Sequence, residues 1–318
     1  MQVVEIETQQ QQRRYVVIDD DGTFVEPIVQ YLKYLDHIGA ARNTIRSYAT
    51  ALRLYWQYLM QQGLDWQQIT LDHLAQFIVW LKLPSGSLKV LPAHPVPQAR
   101  SNRTINHTLM VVRGFYDYHW RMEDAPTNIK DKTTTYLPAR ARRYKSFLHH
   151  ITKGSPVTKN ILRQKEEKQQ QPKVLTKDQV QTLLDACSNR RDRLLIWLLY
   201  ESAARIGEIL ALFVEDVDVA ENQIHICDRG ELENEAEIKT IHAPRTIDVS
   251  SDLIDEIVAY VGRAHTVDVE TNHLFLKLSG ERAKQAMTYE DVDSLFRRLR
   301  QKVTTQVSYR LAKGEETD

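Results

Sequence analysis

Cysteine is nearly missing from this sequence: Cys187 and Cys227 are the two in 318 residues. Two widely separated thiols supply neither a disulfide framework nor a thiolate metal site, and both are expected as reduced core residues of a cytosolic protein. Long apolar runs are missing too. No stretch approaches the about 18 consecutive apolar residues of a membrane span. The opening MQVVEIETQQQQRRYVV places glutamates and a polar run where a signal peptide needs an uninterrupted apolar core. Glycine and proline are scarce, at 11 and 10, which excludes fibrous and disordered classes. A soluble, intracellular chain with no membrane partner is expected, and no internal repeat is visible.

Net charge is also absent, since 42 Lys and Arg balance 42 Asp and Glu. The balance conceals a division. Residues 41–150 hold 15 Lys and Arg against 6 Asp and Glu, so the rest of the chain is correspondingly acidic. A basic half joined to an acidic half points to a polyanion as partner of the first, and a merely solvated basic face has the same composition. With 42% hydrophobic and 26% charged residues, the length suits two domains, each with its own core.

The pattern along the chain divides it four ways. Residues 1–23 read as a loose leader containing the polar stretch QQQQRR. Residues 24–123 read as a small helical bundle. Its clearest helix is in ARNTIRSYATALRLYWQYLMQQG, where Ile45, Tyr48, Ala49, Leu52, Trp56 and Leu59 share a face, Asn43 or Thr44 can cap the start, and Gly63 ends it. A second lies in SNRTINHTLMVVRGFYDYHWRM. Arginines gather at the starts of both, Arg42 and Arg46 in one, Arg100 and Arg103 in the other. Free N–H groups and the positive dipole end make such positions suited to phosphate. Arg42, Thr44, Arg46 and Arg103 are therefore the candidate phosphate contacts, with solubility as the plain alternative for each arginine.

Residues 124–171 read as a linker or arm whose basic first half, ARARRYK, suits nucleic acid. From 172 to 318 a second, mainly helical domain is expected. Thr176 and Gln179 form a capping box, RDRLLIWLLYESA is apolar nearly all round, and NQIHICD, AEIKT and PRTIDVS suggest a small antiparallel sheet. HLFLKL reads as a further strand, and the helix from TYEDVDSLFRRLRQKV as ending near Val303. The fold class is thus mainly α with a small antiparallel sheet. One feature stands out: YESAARIGEILAL reads as the middle of a buried helix, yet in it a permanent charge, Arg205, is surrounded by apolar residues.

ARIGEILALFVEDVD, a strand, a hairpin lysine at IKT and then RTIDVS together resemble the catalytic domain of tyrosine site-specific recombinases, the phage integrase family. Within it, DRGELENEAEIKT, TNHLFLKL and YEDVDSLFRRLRQKV are most similar to the transposases of transposons that move by tyrosine recombination. The NTIRSYATALRLYWQYL helix is similar to the family's SAM-like, core-binding DNA clamp, so the resemblance spans most of the chain. It implies duplex DNA as partner, other recombinase protomers on that DNA, and a place on the nucleoid. It also implies a tyrosine nucleophile that forms a 3′-phosphotyrosine and frees a 5′-hydroxyl, which conserves bond energy and needs neither metal nor nucleotide cofactor.

Under the same resemblance Arg205 is the first of two arginines that bind the scissile phosphate, a task suited to a planar, always charged fork. Glu208 orients the motif, because a carboxylate facing phosphate would repel it. Lys239 is the general acid for the departing 5′-oxygen. Arg245 is a weaker candidate, a phosphate contact or a surface charge. The family's later His-x-x-Arg and its tyrosine do not follow: the last histidine is His273, and beyond Lys302 the chain reads VTTQVSYRLAKGEETD. Tyr309 is a poor replacement. The expectation is an integrase-type domain incomplete at its C-terminus, as a truncated or frame-shifted reading frame leaves it, and a chain that either is a catalytically incomplete recombinase or acts as a DNA-binding regulator of a full-length relative.

Overall fold

The computed structural model describes residues 1–7, 13–83, 98–125, 129–137, 157–166, 174–238 and 244–312. The chain forms two compact units, Met1–Gln171 and Pro172–Asp318.

The first unit opens with an antiparallel hairpin of β1 (Gln2–Glu7) and β2 (Arg13–Ile18), in register from Gln2 opposite Ile18 to Glu7 opposite Arg13. The expected loose leader is thus a structured element over these residues, while the glutamine run at 9–12 lies outside the described residues. The reason is apolar burial: Tyr15 and Val17 enter the core, and Arg14 Nε pairs with Asp36 at 2.7 Å. Four helices follow, α1 (Glu26–His37), α2 (Arg42–Gln62), α3 (Leu71–Lys82) and α4 (Asn102–Arg121).

The start of α2 differs from the sequence expectation. Arg42 is its first residue and Ala41 its N-cap, with no side-chain cap, so neither Asn43 nor Thr44 fills that role. Its end is the left-handed Gly63, φ 63°, the conformation glycine adopts without steric cost. Ser101 and Thr70 cap α4 and α3 through their side chains. The bundle closes on aromatic residues: Tyr55 and Phe77 meet edge to face at 5.0 Å, and buried Tyr116 donates to the Trp66 carbonyl at 2.6 Å while its hydroxyl meets that of Tyr55 at 2.8 Å. Each buried phenol thereby has a polar partner, which its burial requires.

A short helix α5 (Ile129–Lys132) leads to β3 (Thr134–Leu137), paired antiparallel with β4 (Val157–Asn160). The basic stretch ARARRYK falls outside the described residues. After β4 the chain returns to α4, where the Asn106 amide bonds both the N–H and the C=O of Gln164, at 2.8 and 2.9 Å. Residues expected to be linker thus belong to the first unit's packing as far as Glu166.

The second unit begins with α6 (Lys177–Ala186), where both bonds of the Thr176–Gln179 capping box are made. Next come α7 (Arg190–Ser202) and the five-residue α8 (Ile206–Leu210). A three-stranded antiparallel sheet follows in the order β5 (Val217–Asp218), β6 (Gln223–Ile226), β7 (Arg245–Asp248). Residues 236–238 of the AEIKT run are not strand, and HLFLKL contributes isolated bridges, Phe213 with His273 and Leu276 with Ala286. α9 (Ser251–Ala264) and α10 (Tyr289–Ala312) complete the unit. α10 passes the expected end near Val303, since no glycine or proline interrupts the sequence before Gly314. Leu194, Leu195 and Leu198 of α7, Ile209 of α8, Leu253 of α9 and Leu295 of α10 share one core.

The loop from β6 toward Lys239 is held by buried polar groups. Arg229 grips Asp216 at 2.6 and 2.9 Å and stacks over Phe213 at 4.3 Å. Buried Asn234 donates to the carbonyls of Leu210 at 2.8 Å and Met287 at 3.0 Å and accepts from Ala236 N–H. Asn234→Ala removes a donor from two buried carbonyls, of which Leu210 C=O keeps the His273 Nδ1 contact at 3.2 Å. It is expected to lower unfolding free energy by about 1–3 kcal/mol, seen as a reduced urea midpoint; an unchanged midpoint would show that this loop does not hold the unit together.

Candidate phosphate-binding site

Arg205 does not sit inside a helix. α7 ends at Ala203, whose φ of 49° is left-handed, and the turn is tied by Ser202, which donates to Leu198 C=O at 2.6 Å and accepts from Ala204 N–H at 3.2 Å. Arg205 is then the extended N-cap of α8, with its side chain 57% exposed. The apolar neighbours in the sequence turn inward on both helices, and the break at Ala203 lets the guanidinium face out.

The anchor of this corner is Glu208, whose side chain is 1% exposed. Its carboxylate receives four hydrogen bonds. Arg205 N–H donates to Oε2 at 2.9 Å and Arg205 Nη1 to Oε1 at 3.0 Å. From β7, Arg245 Nη1 donates to Oε1 at 3.2 Å and Nη2 to Oε2 at 2.9 Å. Four donors occupy the four lone-pair positions a carboxylate offers. Hydrogen bonds from Arg245 foremost, with those from the Arg205 backbone and side chain, hold the Glu208 carboxyl down to about 2 against the opposing effect of burial. In return, the Arg245 guanidinium is pushed above its ordinary value by its bonds to Glu208. Glu208 is therefore held as an anion by these four donors. Gly207, between the two motif residues, leaves room for its neighbours: a Cβ there would lie 2.8 Å from Glu237 O and against the Tyr289 hydroxyl.

The structure thus brings together Arg205, Glu208 and Arg245. Lys239 lies outside the described residues, and Tyr309 lies in the part of α10 whose side chains are outside them. The other candidates belong to the first unit. Thr44, Arg46 and Arg103 are exposed, and Arg46 stacks over Tyr15 at 5.6 Å. Arg42 differs from expectation: at 8% exposure it is packed into the bundle at the first turn of α2, so it offers little surface to a partner. The pairing of Arg245 with Glu208 escaped sequence reasoning because the two residues are far apart in the chain and on different elements. Among the described residues no group of three or more His, Cys, Asp or Glu side chains could hold a metal ion, and none of the helices is long and apolar enough to cross a membrane.

Comparison with known proteins identifies the family of this two-unit chain. The phage integrase family profile matches residues 173–311, and the profile of the phage integrase N-terminal SAM-like domain matches residues 28–122. Transposase A from transposon Tn554 of Staphylococcus aureus is 33% identical over 285 residues, which cover 90% of this chain and 76% of that protein. Tyrosine recombinase XerA of Saccharolobus solfataricus is 25% identical over 188 residues, covering 59% of this chain and 50% of that protein. The chain belongs to the phage integrase family of tyrosine recombinases. Among solved structures, the Tn1549 transposon integrase in complex with a circular intermediate DNA is similar in fold, with a TM-score of 0.54 at 16% identity over 88% of this chain and 78% of that one. So is a lambda integrase dimer bound to a core site, with a TM-score of 0.52 at 12% identity over 88% and 63%.

The low Glu208 value makes a pH prediction. A carboxyl depressed from 4.5 to about 2 by folding adds stability above pH 4.5, and that stability is lost as the pH falls through about 2. The difference in urea unfolding free energy between the native chain and Glu208→Gln should shrink by at most about 2–3 kcal/mol between those limits, given the solvent around both arginines. A difference that stays constant with pH would show that Glu208 is not held ionised.

Proposed function

We propose that this chain is a DNA-binding tyrosine recombinase subunit that captures a scissile phosphodiester on Arg205, and that these 318 residues alone do not complete strand cleavage. The observation that carries the reading is the Arg205 guanidinium, half in solvent and fixed at the start of α8 by a buried, saturated carboxylate. A phosphate oxygen at that guanidinium would meet a planar donor in low-entropy pose, and the charge that builds on the five-coordinate phosphorus would be stabilised there. Lys239 is assigned as the general acid for the 5′-oxygen, from its place in the sequence between β6 and β7. Exposed Thr44, Arg46 and Arg103 are assigned to the DNA backbone. Duplex DNA as the partner, and other protomers bound with it, are supported by the DNA-bound Tn1549 integrase and the DNA-bound lambda integrase dimer, whose fold this chain shares. Neither role requires a metal or a cofactor, and the site of action is the nucleoid.

The catalytic shortfall rests on the residues themselves. No His-x-x-Arg follows His273, and the second phosphate-binding arginine and the tyrosine of the family's chemistry have no counterpart in context. Losing one of two clamps on the transition state costs about a hundredfold in rate or more, and without the nucleophile the covalent route is closed.

Two assays on duplexes from the DNA flanking the chain's own reading frame test this. Affinity should fall about a hundredfold or more between 50 and 200 mM salt. A nicked suicide substrate should give a retarded complex and no covalent adduct. Salt-independent affinity would remove DNA binding from the account, and an adduct that disappears in Tyr309→Phe would overturn the claim of incomplete cleavage.

A further inference from the structure

Two cations share one buried anion at this corner, and the arrangement exceeds what neutralising that anion requires. Elsewhere in the same unit a single arginine is the cation on a buried carboxylate: Arg229 gives Asp216 one bidentate pair, and Phe213 N–H supplies a further bond. At Glu208, Arg245 already provides the equivalent pair, one Nη to each oxygen. The Arg205 side chain adds one bond, to the Oε1 that Arg245 also reaches. Arg205 is also the more exposed of the two, at 57% against 36%. Two guanidinium groups and one carboxylate leave one positive charge, the complement of one phosphodiester.

We propose that Arg245 is a positioning residue for phosphate capture: by holding Glu208 from β7 as its own ion-pair partner, it frees the Arg205 side chain to exchange that carboxylate for a phosphate oxygen. The inference rests on the reading of Arg205 as the phosphate ligand. After the exchange Glu208 keeps both bonds from Arg245 and the one from Arg205 N–H, so the buried charge is never abandoned. Without Arg245, extracting the Arg205 side chain would leave a buried carboxylate with a single backbone donor, a severe penalty that would hold Arg205 in place. The division of labour follows from topology. Arg205 and Glu208 sit on one short helix and would otherwise be each other's partner, so the competing cation comes from a separate element. The larger share of Arg245 in keeping Glu208 ionised agrees with this.

The test uses the full chain labelled with 15N-arginine, titrated with inorganic phosphate near pH 7. The readout is the Arg205 Nε–Hε resonance, assigned from its loss in Arg205→Lys. Arg245→Gln should weaken phosphate affinity at Arg205 by about tenfold or more. Adding Glu208→Gln to that variant should restore affinity to within about twofold of the native chain, because the competing anion has gone. A merely structural role for Arg245 gives the opposite sign, with the double variant at least as impaired as the single one. Arg245→Lys, which retains the charge without the fork, should fall between native and Arg245→Gln, and it serves if Arg245→Gln does not fold. An Arg205 resonance that ignores phosphate in the native chain would sink the phosphate-ligand reading and this inference together. A native response that persists equally in Arg245→Gln and Arg245→Lys would overturn the inference alone.

Discussion

The Glu208 carboxylate is the constraint on which the proposed site depends. A charge with almost no access to water must be compensated locally, and the unit does so from two directions, the start of α8 and the edge strand β7. Those bonds fix the exit angle of Arg205 and tie the sheet to the helix corner. Gly207, which leaves space for Glu237 and Tyr289, and Asn234, which bonds the carbonyls of Leu210 and Met287, brace the same corner from the loop side. Several buried polar groups of the second unit thus converge on the corner that carries Arg205.

The first unit works differently. Its stability is that of an amphipathic bundle with an aromatic interior, and exposed Arg46 and Arg103 lie near the starts of α2 and α4, where dipole and side chain favour the same anion. The hairpin at residues 2–18 adds Tyr15 and Val17 to that interior and places Tyr15 beneath Arg46. An arginine stacked on a ring loses some of its conformational freedom before any partner arrives, which suits a contact of fixed geometry.

Much of the local structure was legible because its causes are local. Thr176 and Gln179 announced a capping box three residues apart, Gly63 announced a left-handed stop, and the helical spacing of Ile45, Ala49 and Leu52 announced a buried face. Where causes were not local, the reading failed. Ala203 turns left-handed with no glycine or asparagine to signal it, so Arg205 looked like a charge in mid-helix. The valines of the first hairpin were obscured by the glutamine run between its strands. Arg42 carried every sign of a surface cation and is buried. The bond between Glu208 and Arg245 joins residues that no periodicity connects, and only the pairing of β6 with β7 brings it about. Family membership was legible for a related reason: the order of arginine, glutamate and hairpin lysine along the chain survives in sequence even where the contacts they make do not show.

The most direct measurement is a crystal structure of the chain bound to a nicked duplex. The account predicts a backbone phosphate within hydrogen-bonding distance of the Arg205 guanidinium, with Arg245 still bidentate on Glu208. A bound duplex that leaves the Arg205 side chain on Glu208, with the nearest phosphate out of its reach, would contradict it.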